Sequence, residues 1–441
     1  MMSSQVPLDV DVVQQRSSRL GAAQVAALVE AHLRGLAALQ PGAALGGAEL
    51  AAAGGALAEH VASVALCDAR HAAELRPDAR LRLHVHKLDA FAAERDALSG
   101  ADEELDACEV RALPHEDFHG LWESLEFESA LKADLLRFTE TAFALEALGV
   151  DPRQVARGRV VLLHGPPGTG KTSLCRALAH KLAVRLADKF PRARLLELNA
   201  HGIFSKWFSE SGKLVTKLFN RLDEIVDDPR MLAVILIDEV ESLTHARRAA
   251  LAGLEPSDSI RAVNAVLAAL DRLRRRPNAL VLATSNVTGA IDAAFVDRAD
   301  IKRLVPPPGP CAAYGLLRGA ATALAAAGAL QPLARGGPLF AWRVLEQARF
   351  ASTPASAASL RLAEVSRAAA AAALSGRALR RLPFLALARA DRSLPADAPA
   401  LPEFVSALRA ALDRYLQDEA DLEDGSGPRP APPPTVATNG H

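Results

Sequence analysis

Gly165-Pro166-Pro167-Gly168-Thr169-Gly170-Lys171-Thr172 matches G-x-x-x-x-G-K-[ST], the phosphate-binding loop of nucleoside triphosphatases. Its surroundings suit that reading. The apolar run Val160-Val-Leu-Leu163 precedes the loop and reads as a buried strand. Ser173 to Leu186 follows with helical periodicity. The loop therefore joins a strand to a helix N-terminus, where free backbone N–H groups and the helix dipole favour an anion. Glycines let the backbone wrap a phosphate with no Cβ in the way. The backbone from Gly165 to Ser173 forms the nucleotide cradle. Lys171 would reach the β- and γ-phosphates, and the Thr172 hydroxyl would hold Mg²⁺.

The chain has 441 residues, too many for one ordinary core. Lys+Arg is 51 and Asp+Glu is 52, a net charge of -1 that argues against a protein devoted to coating nucleic acid. No direct nucleic-acid binding is expected. The four cysteines, Cys67, Cys108, Cys175 and Cys311, show neither a zinc-ligand spacing nor a disulfide framework. They read as reduced thiols of a cytosolic or nuclear protein. No signal peptide is expected at the N-terminus, and Gly319 to Ala334 is no membrane span, because it is mostly alanine and holds Gln331 and Pro332.

Residues 1–20 are polar and read as a flexible N-terminus. Residues 21–112 are Ala/Gly-rich, helical at first, with the alternating strand Leu81-Arg-Leu-His-Val-His-Lys87. They form a small α+β N-terminal domain. From 116 to 308 short apolar strands alternate with helices. The strands are Val160–Leu163, Leu195–Leu198, Leu232–Ile237, Ala279–Ala283 and Ile301–Val305. Helices fall near 172–186, 213–226, 257–275 and 289–295. This alternation predicts a doubly wound, parallel, five-stranded α/β sheet. The Pro306-Pro-Pro-Gly-Pro310 cluster ends it. Residues 309–420 read as a small helical domain, and the Pro-rich 421–441 as a disordered tail.

Val234-Ile-Leu-Ile237 leads into Asp238-Glu239. Four apolar residues bury a central strand, and the acidic pair emerges at its C-terminal end, where open α/β sheets bind ligands. Asp238 would hold the Mg²⁺ shell and Glu239 would polarise the attacking water. The next strand ends Ala283-Thr-Ser-Asn286, and Asn286 is assigned to sensing the γ-phosphate or the water. Arg298, in Asp297-Arg-Ala-Asp300, lies just before the last strand; in a ring it would reach the neighbour's γ-phosphate. The competing reading pairs it with Asp297 or Asp300. Ser375-Gly-Arg377 opens a helical run of the C-terminal domain, and an arginine there could fold back onto the phosphates; Arg380 and Arg381 follow closely and offer the same charge. Phe204-Ser-Lys-Trp-Phe-Ser-Glu-Ser-Gly212 places Trp207 and Phe208 in a polar loop ill suited to core packing, which suggests an aromatic grip on polypeptide. A second loop, Arg247 to Ser257, could add another layer to a pore.

Together these motifs resemble the AAA+ ATPases. The run Phe204 to Lys217 narrows the match to the pachytene checkpoint protein 2 family, which includes thyroid receptor-interacting protein 13. So do Leu236-Ile-Asp-Glu-Val-Glu-Ser-Leu243, Ala294-Phe-Val-Asp-Arg-Ala-Asp-Ile-Lys302 and Ser375-Gly-Arg-Ala-Leu-Arg-Arg-Leu-Pro-Phe384. The similarity is close over about 112–310, continues to about 415 and is thin before residue 80. It implies an AAA+ fold with a helical lid, and an ATPase using ATP and Mg²⁺ in a homohexamer. It further implies remodelling of HORMA-domain proteins: opening closed Mad2 with the adaptor comet, and removing meiotic axis HORMA proteins. Residues 21–112 would recognise substrate and adaptor. The setting would be the nucleus and cytoplasm, including chromosomes and kinetochores, in checkpoint silencing and in meiotic recombination and synapsis. By that resemblance Trp207 and Phe208 form the pore loop, and Asn286, Arg298 and Arg377 fall at the sensor-1, arginine-finger and sensor-2 positions. Two other classes fit a phosphate loop with an acidic pair. One is a nucleic-acid-linked AAA+ enzyme of clamp-loader or helicase type. The other is a scaffold that holds ATP without hydrolysing it, against which Glu239 argues.

Overall fold

The computed structural model describes residues 8–35, 44–67, 80–92, 108–151, 153–155, 158–199, 211–242, 258–287, 291–333, 339–388 and 395–423. They fall into two units, Met1–Pro306 and Pro307–His441.

The first unit opens with β1 (Leu8–Gln14), α1 (Ala22–Gly35), β2 (Ala44–Leu45), α2 (Gly47–Ala53), α3 (Gly55–His60), β3 (Val61–Cys67) and β4 (Leu81–His86). Its sheet runs β2-β3-β1-β4, with β3 antiparallel and β4 parallel to β1. Val10 and Val12 are fully buried and share a core with Val25, Val29 and Leu33 of α1. This corrects two expectations. Residues 8–14 are a strand inside the sheet, not part of a flexible terminus. Residues 61–67 are a strand within the Ala-rich segment read as helical. In each strand buried apolar residues stand two apart, Val10 and Val12 in β1 and Val64 and Leu66 in β3, so one face is covered.

The ATPase part holds β5 (Cys108–Leu113), α4 (Leu121–Ser124), α5 (Leu131–Ala147), β6 (Val160–His164), α6 (Lys171–Arg185), β7 (Arg192–Asn199), α7 (Ser211–Val226), β8 (Met231–Asp238), α8 (Asp258–Leu273), β9 (Ala279–Ser285), α9 (Ala293–Arg298) and β10 (Ile301–Leu304). The strand order is β10-β6-β9-β8-β7-β5. The five expected strands are parallel neighbours, and a sixth joins them: β5 pairs antiparallel with β7, Val110 opposite Leu196. So β5, whose residues 108–112 were expected in the N-terminal domain, completes the ATPase sheet. Its alternation buries Cys108 and Val110 against one face of that sheet, and Leu113 at its end is buried in the core of the other face.

Both faces of the central strands are covered. Leu162, Ile235 and Val281 pack with α7 and α8, while Val161, Val234 and Leu282 pack with α5 and α6. That double cover is why these strands read as continuous apolar runs. The second unit comprises α10 (Pro310–Ala326), α11 (Trp342–Gln347), α12 (Ala357–Ala371), α13 (Gly376–Ala388) and α14 (Leu401–Glu423) around Tyr314, Leu317, Leu362, Leu379, Phe404 and Leu408. Among the described residues no helix is long and apolar enough to cross a membrane.

Candidate nucleotide site

The phosphate loop takes its shape from backbone that only glycine adopts without strain. Gly165, Gly168 and Gly170 have φ of 141°, 75° and 95°. A Cβ on Gly165 would lie 2.5 Å from the Val305 carbonyl oxygen, so this turn must pass directly over the end of β10. Gly165 N–H donates to the Ser285 carbonyl at 3.2 Å, which ties the loop to β9. The loop delivers the chain into α6, whose first residue is Lys171. Lys171 is only 4% exposed, and its Nζ donates to the carbonyls of Gly165 (2.9 Å) and Pro166 (2.8 Å). Thr169 Oγ1 donates to the Pro166 carbonyl as well. Just before the loop, His164 has its pKa lowered by burial and by the neighbouring Lys171 charge.

Across from α6, β8 ends at Asp238. Thr172 Oγ1 donates to Asp238 Oδ1 at 3.0 Å and Oδ2 at 3.1 Å. The Thr284 hydroxyl, on β9, donates to Asp238 Oδ1 too. The next residue, Glu239, has φ of 60°, a left-handed conformation that a side chain other than glycine's rarely takes. That turn brings Val240 N–H onto the Thr284 carbonyl at 3.0 Å. Glu241 then folds back, and its Oε1 accepts the Asn286 N–H at 3.1 Å.

Arg298 lies at the end of α9. Its Nε and Nη2 bind the two oxygens of Asp271 on α8, each at 2.9 Å, and Nη1 donates to the Ala294 carbonyl. The bonded Asp271 carboxylate raises the guanidinium pKa above its ordinary value. The expected competing partners were Asp297 or Asp300. Asp300 instead binds Arg274 at 2.5 Å and accepts the Val160 N–H. The first unit thus brings together Gly165–Ser173, Asp238, Glu239 and the Asn286 backbone. Arg377 belongs to the second unit and is exposed in the first turn of α13. Trp207, Phe208 and the loop 247–257 lie outside the described residues.

A family model for the AAA ATPases (ATPase family associated with various cellular activities) matches residues 161–307. The pachytene checkpoint protein 2 homolog of Xenopus tropicalis is 44% identical over 345 residues, 78% of each chain. The chain belongs to the pachytene checkpoint protein 2 family. The Danio rerio pachytene checkpoint protein 2 homolog is 46% identical over 321 residues, 73% of this chain and 74% of its own. A TRIP13-like AAA+ ATPase lid model matches 310–416, so the second unit is the lid of this family. The solved structure of C. elegans PCH-2 superposes with a TM-score of 0.72 at 28% identity, covering 93% of this chain and 99% of that one. An E. coli MS115-1 Trip13 chain, solved in a HORMA:CdnC:Trip13 complex, shares the fold at a TM-score of 0.50 and 18% identity, covering 68% of this chain and 93% of that one.

As a pachytene checkpoint protein 2 family member the chain is an AAA+ ATPase and binds nucleotide. The donor set fits the magnesium that usually accompanies it. A threonine hydroxyl and a carboxylate stand side by side, both hard oxygen ligands, next to a helix N-terminus and a buried lysine. Two residues of the site went unremarked in the sequence, Thr284 and Glu241. Both lie inside stretches singled out there, but nothing in an apolar strand end or an acidic run says which side chain crosses to the neighbouring strand.

Proposed function

We propose that this chain is a hexameric, Mg²⁺-dependent ATPase that remodels HORMA-domain proteins. The observation that carries the ATPase chemistry is the Thr172–Asp238–Thr284 hydrogen-bond cluster, with Glu239 held immediately beside it. Support for the HORMA substrate comes from membership of the pachytene checkpoint protein 2 family and its lid. It also comes from a shared fold with the Trip13 chain solved in complex with a HORMA protein.

In this reading the loop N–H groups and Lys171 bind the phosphates. Thr172 and Asp238 hold the metal, which when bound neutralises charge on the phosphate oxygens. Glu239 accepts a proton from the attacking water. Asn286 orients that water or the γ-phosphate, Arg298 serves the adjoining subunit's site, and Arg377 answers to nucleotide state. Trp207 and Phe208 grip the polypeptide being pulled. The residues before 108 recognise substrate and adaptor, with Mad2 and the comet adaptor as the mitotic pair and axis HORMA proteins as the meiotic substrates. The place of action is the nucleus and cytoplasm.

The test is steady-state ATP turnover with and without a HORMA protein and adaptor. Wild type should hydrolyse ATP and be stimulated by the pair. Lys171→Ala should lose nucleotide binding, because a charge-assisted phosphate contact is gone. Glu239→Gln should bind ATP and fail to turn it over. Wild-type turnover by Glu239→Gln would remove the carboxylate assignment; stimulation by DNA instead of the HORMA pair would move the protein to the nucleic-acid class.

A further inference from the structure

β9 lies between the strand that launches the phosphate loop and the strand that ends in the acidic pair. Its last residues touch both. The Ser285 carbonyl holds Gly165 N–H, and Thr284 faces Asp238 and Glu239. Thr284 is 1% exposed. Its hydroxyl has one proton and two lone pairs. The proton goes to Asp238 Oδ1, the oxygen that also accepts from Thr172. A lone pair receives the Glu239 N–H at 3.4 Å. One hydroxyl therefore joins the metal-side carboxylate to the backbone of the residue that carries the water-side carboxylate.

Glu239 itself sits at φ of 60°, where the side chain crowds its own backbone. Such a conformer persists only when its surroundings over-determine it. Three contacts to the end of β9 and the residue after it do so here: Glu239 N–H to the Thr284 hydroxyl, Val240 N–H to the Thr284 carbonyl, and the Glu241 carboxylate to Asn286 N–H. Glu241 is 9% exposed, and among the described residues its Oε2 is buried without a hydrogen-bond partner. Keeping a carboxylate there costs desolvation that an apolar residue would avoid. The bond from Asn286 N–H to Oε1 is what that position provides.

We propose that Thr284 and Glu241 are positioning residues for ATP hydrolysis, holding Glu239 in its left-handed conformation and locking the Asn286 turn against it. The inference rests on reading Glu239 as the carboxylate that activates water. Without the clamp Glu239 relaxes toward right-handed or extended backbone, and its carboxylate swings off the line of attack. Lys171, Thr172 and the loop backbone stay in place, so nucleotide still binds. The defect is in turnover alone.

The experiment compares Thr284→Val, Thr284→Ser and Glu239→Gln in the full chain. It measures turnover, the dissociation constant of a fluorescent ATP analogue, and melting temperature. Thr284→Val keeps the shape and removes the hydroxyl; turnover should fall ~10–100-fold, the loss typical of a misaligned catalytic group, while analogue affinity stays within a few-fold. Thr284→Ser restores the hydroxyl and should recover most of that turnover. Two results overturn the proposal: Thr284→Val turning over like wild type while Glu239→Gln is inactive, or Thr284→Ser losing as much as Thr284→Val. If Glu239→Gln is itself fully active, the reading of Glu239 fails instead. Should Thr284→Val not fold, Glu241→Ala against Glu241→Gln gives the same contrast. Glutamine keeps an acceptor for Asn286 N–H and should retain turnover; alanine should lose it, and equal turnover in the two would refute the clamp.

Discussion

Arg298 commits three of its five N–H groups within its own chain, two to Asp271 and one to the Ala294 carbonyl. The remaining edge of the guanidinium is what a neighbouring phosphate could engage. Asp271 therefore sets the direction of the group. Asp271→Ala should free the arginine to rotate and lower turnover several-fold, with nucleotide affinity unchanged. Arg298→Lys should do no better than Arg298→Ala, because an ammonium cannot bind Asp271 with a planar fork and still reach outward. Turnover and analogue binding on the three variants decide it. Equal activity of Arg298→Lys and wild type would make the fork irrelevant. The arginine was visible in the sequence as a residue before the last strand. Its partner was not, since Asp271 is 27 positions earlier on another helix, and the nearer aspartates looked equally able to pair. The shape of the phosphate loop, by contrast, was legible, because the glycines at 165, 168 and 170 take the positive φ that the turn into α6 needs and their spacing writes that shape directly.

Helix α6 carries the phosphate lysine at its first residue and, towards its C-terminus, two buried cations. Lys181 Nζ lies 2.5 Å from Asp11 of β1 and 3.1 Å from Glu123. Arg185 binds Asp9 of β1 at 2.5 Å. Burial alone would raise the Asp9 carboxyl, but the hydrogen bond with His84 and the charges of Arg185, His84 and Arg82 outweigh it and lower the pKa. These pairs explain why β1 was misread. Its alternate residues Asp9 and Asp11 look solvent-directed in a sequence, and their partners stand on a helix some 170 positions away. Removing Lys181 leaves the buried Asp11 carboxylate with the more distant Arg185, 3.7 Å away, so Lys181→Met should destabilise the protein by about 3 kcal/mol, the low end for a broken buried pair. Adding Asp11→Leu should recover most of that in denaturant titration; no recovery would show that the pair is not the source. Beside Lys181, burial and the neighbours His86, Lys181 and His119 lower His180 from 6.5 to about 3, against the opposing pull of Asp11. Above pH 6.5 His180 is neutral whether folded or not. As pH falls from there towards 3, the unfolded chain takes up a proton the folded chain refuses. Stability should then drop by up to ~1.4 kcal/mol per pH unit. His180→Gln should flatten that slope, and an unchanged slope would assign the acid sensitivity elsewhere.

At the scale of the whole molecule, the described residues bring the phosphate loop, Asp238 and Glu239 together, while Arg298, the residue proposed to stabilise transition-state charge, binds Asp271. In the head-to-tail ring proposed above, each heterologous contact can present one copy's Arg298 to the next copy's phosphate loop. The arrangement has a consequence that a self-contained site lacks. Arg298→Ala retains an intact pocket without a finger to give, and Lys171→Ala retains a finger without a working pocket. Each pure ring should be inactive. In a mixed ring, wherever a Lys171→Ala copy offers its arginine to an Arg298→Ala copy, one composite site is complete, so turnover should reappear and peak at intermediate ratios. If Arg298 acted on its own chain's nucleotide, no mixture could do this, since neither copy would carry both groups. The measurement is ATPase activity across mixing ratios, with fluorescence energy transfer between differently labelled copies reporting that they share rings. Exchange without recovered turnover at any ratio would place Arg298 outside the neighbour's site. Its fork with Asp271 would then be a structural link between α8 and α9.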